Sequence, residues 1–158
     1  MTQNTMQKYK KPKFTYAQLG TNPCSFTIPV NELAFKDQYK REPDGTLLPL
    51  KLPVEATSYT KVYVSPDRRL IVAKLTPSAK ELYLWIMFEI ESGKDALWIN
   101  KDRYMLENST SLNTYKKALT ELLRYALLVQ TIVKDVYWIN PDFFFRGDRI
   151  AKYPNKII

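Results

Sequence analysis

The sequence predicts an α+β fold in which three helices form a core beside a small antiparallel sheet, with an extension on the N-terminal side. Two observations carry this prediction. One is an amphipathic helical pattern at residues 112–127, and the other is an ordered series of helical and strand patterns from residue 77 to residue 139. With 158 residues, of which 45% are hydrophobic, the chain is long enough for one domain with a buried core.

Residues 112–127 form the clearest helical pattern. The apolar side chains recur at intervals of three and four and therefore share one face: Leu112, Tyr115, Leu119, Leu122 and Ala126. The opposite face is polar or basic: Asn113, Thr114, Lys116, Lys117 and Thr120. The preceding Asn-Ser-Thr-Ser at residues 108–111 is typical of a turn and a helix N-cap. Such a helix fits a DNA major groove; the alternative interpretation is an ordinary surface helix with solvated lysines.

Composition restricts the function. The chain has no histidine and one cysteine, so it lacks the commonest general base and the usual zinc ligands. We therefore expect no catalytic residue, no metal and no cofactor, with Asp142 and Asp148 as the remaining conceivable metal ligands. The net charge of +8 favours a polyanionic partner. The sequence contains neither a membrane-length apolar run nor a signal-peptide pattern, which predicts a cytoplasmic protein without a membrane partner.

The N-terminal part divides into two segments. Residues 1–20 have the composition of a basic flexible arm, because they contain no acidic residue and four closely spaced lysines: Lys8, Lys10, Lys11 and Lys13. Such an arm can lie along phosphates or in a minor groove, and a solvated terminus is the alternative. Residues 21–58 form a proline-rich extension. Its patterns predict a strand at 25–30, a short helix at 31–39, a turn at 42–45 and an extended segment at 47–54.

The folded domain is predicted at residues 59–153, and residues 154–158 form a C-terminal tail. A strand is expected at 59–64, and the next segment fits a short helix somewhat better than a second strand. A helix over 77–92 follows, with Gly93 ending it through a positive φ. The residues expected to be buried together are Leu82, Trp85, Ile86, Trp98, Tyr115, Leu119, Leu122, Ile139 and Phe144.

The second half of the domain adds three short strands. They are predicted at 96–99, 128–133 and 136–139, with a helix at 100–107 between the first strand and the 112–127 helix. The last two strands are joined by a tight turn whose only base is Lys134. This order of elements is that of a winged helix-turn-helix domain, in which the three strands pair beside a three-helix core.

Residues 136–149, VYWINPDFFFRGDR, carry the most specific motif. The Asn-Pro pair ends the strand because proline has no N–H to donate. Phe143, Phe144 and Phe145 are then expected to cover the open end of the helical core. Gly147 permits the bend that follows, and Asp148 can cap the backbone beyond it.

This stretch resembles the end of the winged-helix domain in RepL-like replication initiator proteins of small plasmids and related phages. The matching residues are Tyr137, Ile139, Asn140, Pro141, Phe144, Arg146, Gly147 and Asp148. The resemblance extends over residues 59–153. It implies a protein that binds an origin and recruits host replication proteins, without a nicking activity of its own.

The sequence therefore leads us to expect a sequence-specific duplex-DNA-binding protein that is not an enzyme. The expected DNA contacts are Ser109, Thr110, Ser111, Asn113, Thr114, Lys116, Lys117, Thr120, Lys134, Lys8, Lys10, Lys11 and Lys13. Host replication or transcription proteins and a second copy of the chain are further possible partners. Two alternatives stay open: a winged-helix transcription regulator, and a phage structural or adaptor protein that uses the winged helix for protein contacts.

Overall fold

A computed structural model of the chain describes residues 11–27, 39–49, 60–63 and 65–156, and the fold is mixed α+β. The helices are α1 (Tyr16–Leu19), α2 (Pro66–Lys74), α3 (Pro77–Glu89), α4 (Lys101–Glu107), α5 (Leu112–Arg124) and α6 (Arg149–Lys152), followed by a 3-10 turn (Pro154–Lys156). The strands are β1 (Tyr39–Arg41), β2 (Leu47–Pro49), β3 (Thr60–Val62), β4 (Ala96–Trp98), β5 (Leu128–Gln130), β6 (Val136–Ile139) and β7 (Phe144–Arg146). They pair as small antiparallel sheets, β1–β2, β3–β7 and β4–β6–β5.

α2 to α5 each begin with a capping residue. Each helix begins after a residue whose side-chain oxygen accepts the backbone N–H three positions further on: Ser65, Thr76, Asn100 and Ser111. Proline follows the cap of α2 and of α3, at a position where no intrahelical hydrogen bond needs its N–H. For the segment after residue 65, the sequence favoured a helix over a second strand, and the helix is confirmed.

Two helix ends differ from the prediction. α3 ends at Glu89 rather than at residue 92, because Ile90 turns into the core in an extended conformation. Gly93 does have a positive φ of 75°, but it lies in the following turn, where its N–H donates to the Arg146 carbonyl at 2.7 Å. α5 ends at Arg124 rather than at residue 127, and Ala126, with a φ of 56°, redirects the chain into β5.

The main core lies between α3, α5 and the inner face of the β4–β6–β5 sheet. It buries six of the predicted core residues, Leu82, Ile86, Tyr115, Leu122, Ile139 and Phe144. Trp85 and Leu119 are only partly buried against this core. The prediction was wrong for Trp98, which belongs to a second cluster on the outer face of the sheet, because successive strand residues point to opposite faces.

The N-terminal segment covers that outer face, which carries Ala96, Trp98, Val129, Val136 and Trp138. Phe14, Tyr16 and Leu19 pack against it, and Leu19 is buried. A reciprocal capping box between Thr15 and Gln18 supports the single turn of α1. The predicted flexible arm of residues 1–20 is therefore corrected in its second half, which packs onto the sheet; residues 1–10 lie outside the described residues.

A buried carboxylate, Asp95, ties the N-terminal segment and the C-terminal helix to the sheet. It accepts hydrogen bonds from the Tyr153 hydroxyl at 2.5 Å and from Asn22 Nδ2 at 3.3 Å, and Lys152 Nζ lies 3.7 Å away. Asn22 Nδ2 also donates to the Ile139 carbonyl at 2.9 Å. Burial and the neighbouring carboxylate raise the pKa of Tyr153, and burial raises the pKa of the Cys24 thiol to about 11.

Within the motif at residues 136–149, residues Phe144–Arg146 form strand β7, which the sequence did not predict. β7 pairs with β3 in the register Thr60↔Arg146 to Val62↔Phe144. The expected burial of Phe143, Phe144 and Phe145 is confirmed. Asp148 Oδ1 accepts the Ala151 N–H at 3.1 Å, as the motif predicts.

Gly147 is required at this bend for two reasons. Its φ of 117° is rarely adopted by other residues, and a Cβ there would lie 2.9 Å from the Gly93 nitrogen.

The proline-rich extension is described only in part. The turn at 42–45 is confirmed, with the Gly45 N–H donating to the Glu42 carbonyl at 2.9 Å, and it joins β1 to β2 in a hairpin that the sequence did not predict. No strand forms at residues 25–27, the described part of the strand expected at 25–30. Residues 31–38 of the expected helix and residues 50–54 of the expected extended segment lie outside the described residues.

We expect Leu122→Ala to lower the free energy of unfolding by about 2–5 kcal/mol, because Leu122 is fully buried between α5 and α3 and its truncation leaves a cavity. Leu112→Ala is the matched control, since Leu112 is 42% exposed on the same helix and its loss should cost far less. Urea unfolding of both variants measures the difference. Equal effects would contradict the assignment of the α5 faces.

Candidate nucleic-acid interface

The α4–α5 turn is held by local hydrogen bonds that orient the start of α5. Ser109 has a φ of 49°, and the Thr110 hydroxyl donates to the Asn108 carbonyl at 3.1 Å. Ser111 Oγ accepts the Thr114 N–H at 3.2 Å, and the Ser111 hydroxyl donates to Thr114 Oγ1 at 2.9 Å. The hydroxyls of Thr110, Ser111 and Thr114 therefore already have structural partners, which restricts what they can offer a ligand.

The outward face of α5 carries most of the residues that the sequence assigned to DNA binding. Ser111, Asn113, Lys116, Lys117 and Thr120 are exposed, and Thr114 is half-buried. The opposite face packs into the core through Tyr115, Ala118 and Leu122. The Thr120 hydroxyl donates to the Lys116 carbonyl at 2.8 Å. The Asn113 amide and the two lysine ammonium groups have no such internal bond to the part of the chain that the structure describes.

Arg124 extends this face, and the sequence analysis missed it. Arg124 lies in the last turn of α5 and lines a groove of about 400 Å³ together with Thr76, Lys116, Lys117, Thr120 and Glu121. The sequence spacing could have identified it, because Lys116, Thr120 and Arg124 recur every four residues and hence share a side of the helix.

The single acid of the groove, Glu121, is engaged by the start of α3. Its Oε1 accepts the Thr76 N–H at 3.0 Å, and its Oε2 accepts the Thr76 hydroxyl at 2.6 Å. These bonds hold the carboxylate against the α3 N-terminus, where the helix dipole favours a negative charge. The cations of the groove, Lys116, Lys117 and Arg124, thus remain available to an external anion.

The turn between β5 and β6 is longer than expected. β5 ends at Gln130 rather than at residue 133, so the turn covers residues 131–135 instead of 134–135. The Thr131 hydroxyl shapes it by donating to the Val136 carbonyl at 2.8 Å, and Asp135 has a φ of 62°. Ile132, 81% exposed, and Lys134 project from this turn.

The basic residues of the N-terminal arm do not join the α5 face. Lys11 and Lys13 are exposed beside Phe14, which packs on the outer face of the sheet in the cluster that includes Val133 of the β5–β6 turn. α5 packs on the inner face of that sheet. Phe14 packs edge-on against Tyr16, whose ring lies under Lys94 next to Asp95. The structure therefore places Lys11 and Lys13 on the outer face of the sheet, and Lys8 and Lys10 lie outside the described residues.

The two acids considered as metal ligands have structural partners. Asp142 Oδ1 accepts from Arg68 Nη2 at 2.7 Å, and Asp148 caps α6. Within the described ranges, no group of three or more histidine, cysteine, aspartate or glutamate side chains is arranged to hold a metal ion. None of the helices in the described part of the chain has the length and apolar character that crossing a bilayer requires.

Comparison with known protein families, with curated proteins and with solved structures finds no match to this chain.

The cap of α5 provides a test of how the candidate interface is built. We expect Ser111→Ala to destabilise the protein by about 1 kcal/mol, because the Thr114 N–H loses its acceptor. Ser111→Asp should retain the stability, since aspartate is an equally good N-cap. Thermal unfolding followed by circular dichroism measures both variants. A Ser111→Ala protein as stable as the parent would contradict the cap described here.

Proposed function

We propose that this chain is a sequence-specific duplex-DNA-binding protein built on a winged helix-turn-helix domain, with α5 as the recognition helix. The proposal is supported by the chain order α3, β4, α4, α5, β5 and β6, in which β6 lies between β4 and β5. In a winged helix the helix after the turn enters the major groove, and the last two strands form the wing beside it. The β5–β6 turn at residues 131–135 would be the tip of that wing.

The observation that carries the proposal is the composition of the exposed face of α5. An amide, hydroxyls and three cations follow one another along it, from Asn113 to Arg124, while Glu121, the one acid among the described residues that line the groove, is bound by Thr76. Ammonium and guanidinium groups bind phosphates, and an amide reads a base edge through paired donor and acceptor atoms. This combination suits a groove with a phosphate backbone on either side.

The contact proposed for each residue follows from the polar or charged group that it can offer to DNA. Asn113 is the best candidate for a base contact, because its amide can pair with adenine at two atoms and forms no internal bond among the described residues. Lys116, Lys117 and Arg124 would hold phosphates. Ser111 and Thr114 would contribute through the helix N-terminus, which attracts a phosphate.

Secondary contacts would come from the turn side of the domain. Lys134 projects from the β5–β6 turn and would contact the backbone beside the wing. Lys11 and Lys13 lie on the outer face of the sheet, and they would add positive charge there.

The process served by DNA binding is proposed from the resemblance of residues 136–149 to RepL-like initiators. The chain would bind a replication origin and recruit host proteins. A transcription regulator would need the same interface. The rival role, an adaptor for protein contacts, is favoured by one observation: Leu84 and Phe88, one helical turn apart on α3, are 55% and 75% exposed.

The proposal predicts different effects for the amide and the lysine. Asn113→Ala should weaken binding to a selected cognate duplex by about 1–3 kcal/mol and leave binding to unrelated duplexes nearly unchanged. Lys117→Ala should weaken binding to every duplex. It should also make the slope of log affinity against log salt shallower by up to about 0.9. Fluorescence anisotropy across a salt series measures both effects after selection of a binding site from a random duplex pool.

The control is Lys156→Ala, because Lys156 lies beside Phe26, near the end of β6 opposite the wing turn. It removes the same charge and should leave both the affinity and the salt slope close to those of the parent. Equal losses for Lys117→Ala and Lys156→Ala would indicate only a general charge effect. Failure of the parent protein to bind any duplex in a salt-dependent way would remove the proposal.

A further inference from the structure

A second cavity, of about 320 Å³, lies away from the outward face of α5. α2 lines it through Arg69, Val72 and Ala73, and α3 lines it through Lys80, Tyr83 and Met87. Val62, Tyr63, Arg68 and Phe143 complete the lining. The volume is within the range of small-molecule sites, and the lining is largely apolar, as such sites usually are.

Two cations on this lining are available to a ligand. Arg69 and Lys80 are both exposed, and neither has an ion-pair or hydrogen-bond partner for its charged group among the described residues. Arg69 belongs to α2 and Lys80 to α3, and both line the same apolar cavity. The third cation, Arg68, is bound to Asp142 at 2.7 Å and contributes less positive charge.

The wall also contains an unsatisfied polar group. The Tyr83 hydroxyl is buried and has no hydrogen-bond partner within the described ranges, although its ring packs edge-on against Phe144. Buried hydroxyl groups are nearly always paired in folded proteins, and leaving one unpaired is unfavourable. The hydroxyl oxygen is itself buried, so it belongs to the interior of the wall and is not a group exposed in the cavity.

We propose that the cavity between α2 and α3 binds a small anionic ligand with a flat or aliphatic apolar body and one carboxylate. The apolar body would occupy the space between Val72, Met87 and Phe143. The carboxylate would lie between Arg69 and Lys80, where both cations can approach it. A singly charged head group suits the site better than a phosphate, because a more heavily charged group costs more to desolvate beside an apolar lining.

The test compares two aromatic probes of similar shape, 2-naphthoate and its neutral amide, by isothermal titration calorimetry on the full chain. We expect one molecule of 2-naphthoate to bind per chain and the amide to bind more weakly. The double variant Arg69→Gln with Lys80→Gln should lose about tenfold in affinity for 2-naphthoate, as removal of two partly exposed charges implies. The affinity of the double variant for the amide should change little, because the apolar body of the amide keeps its contacts.

Two controls separate this site from general charge or unfolding. Lys74→Gln removes a charge from α2 outside the cavity and should leave 2-naphthoate binding unchanged. Ala73→Trp adds a ring at an exposed position of the wall and should abolish binding of both probes while circular dichroism stays the same. Three results would each overturn the proposal: no saturable binding of 2-naphthoate, equal affinity for the two probes, or equal losses in the Lys74→Gln control and the double variant.

Discussion

Strand β6 is buried on both faces, and the rest of the domain depends on covering both of them. Tyr137 and Ile139 face the helical core, while Val136 and Trp138 face the opposite way. A three-helix core covers only one side of the sheet. The N-terminal segment covers the other with Phe14, Tyr16 and Leu19, and the hydrogen bonds of Asn22 to Asp95 and to the Ile139 carbonyl hold it there. Residues that look like a tail in sequence thus belong to the second hydrophobic cluster.

The same constraint orients α5. Its inner residues, Tyr115, Ala118 and Leu122, pack in the cluster that the inner face of β6 joins, so the amide and cations of the helix must point outward. The bonds between Glu121 and Thr76 link α5 to the start of α3 and withdraw the one acid from the outward face. Beyond the cap formed by Ser111 and Thr114, the buried residues and the proposed DNA contacts therefore lie on different sides of one helix. The outward face can thus change without loss of the core packing.

The elements of residues 65–146 were largely predictable because their signals are local. Caps at Ser65, Thr76, Asn100 and Ser111 act within one helical turn, and periodicity identifies the buried face of α5. What the sequence did not reveal depends on distant partners. β7 is a strand only because β3 lies beside it, and Trp98 joins the outer cluster because the N-terminal segment packs there. For the candidate site, the exposed face of α5 was predictable from the pattern. The bonds of Glu121 were not, because they depend on where Thr76 lies.

The central claim is that the outward face of α5 meets duplex DNA, and backbone amide spectra test it most directly. In ¹⁵N–¹H correlation spectra of the full chain titrated with a selected duplex, the largest shifts should fall on residues 111–120, with a second group at residues 131–135. The amides around Asp95 and Ile139, at the opposite end of the sheet, should move little. If the largest shifts instead cluster around Leu84 and Phe88, or if α5 is unaffected while the duplex binds elsewhere, the account is contradicted.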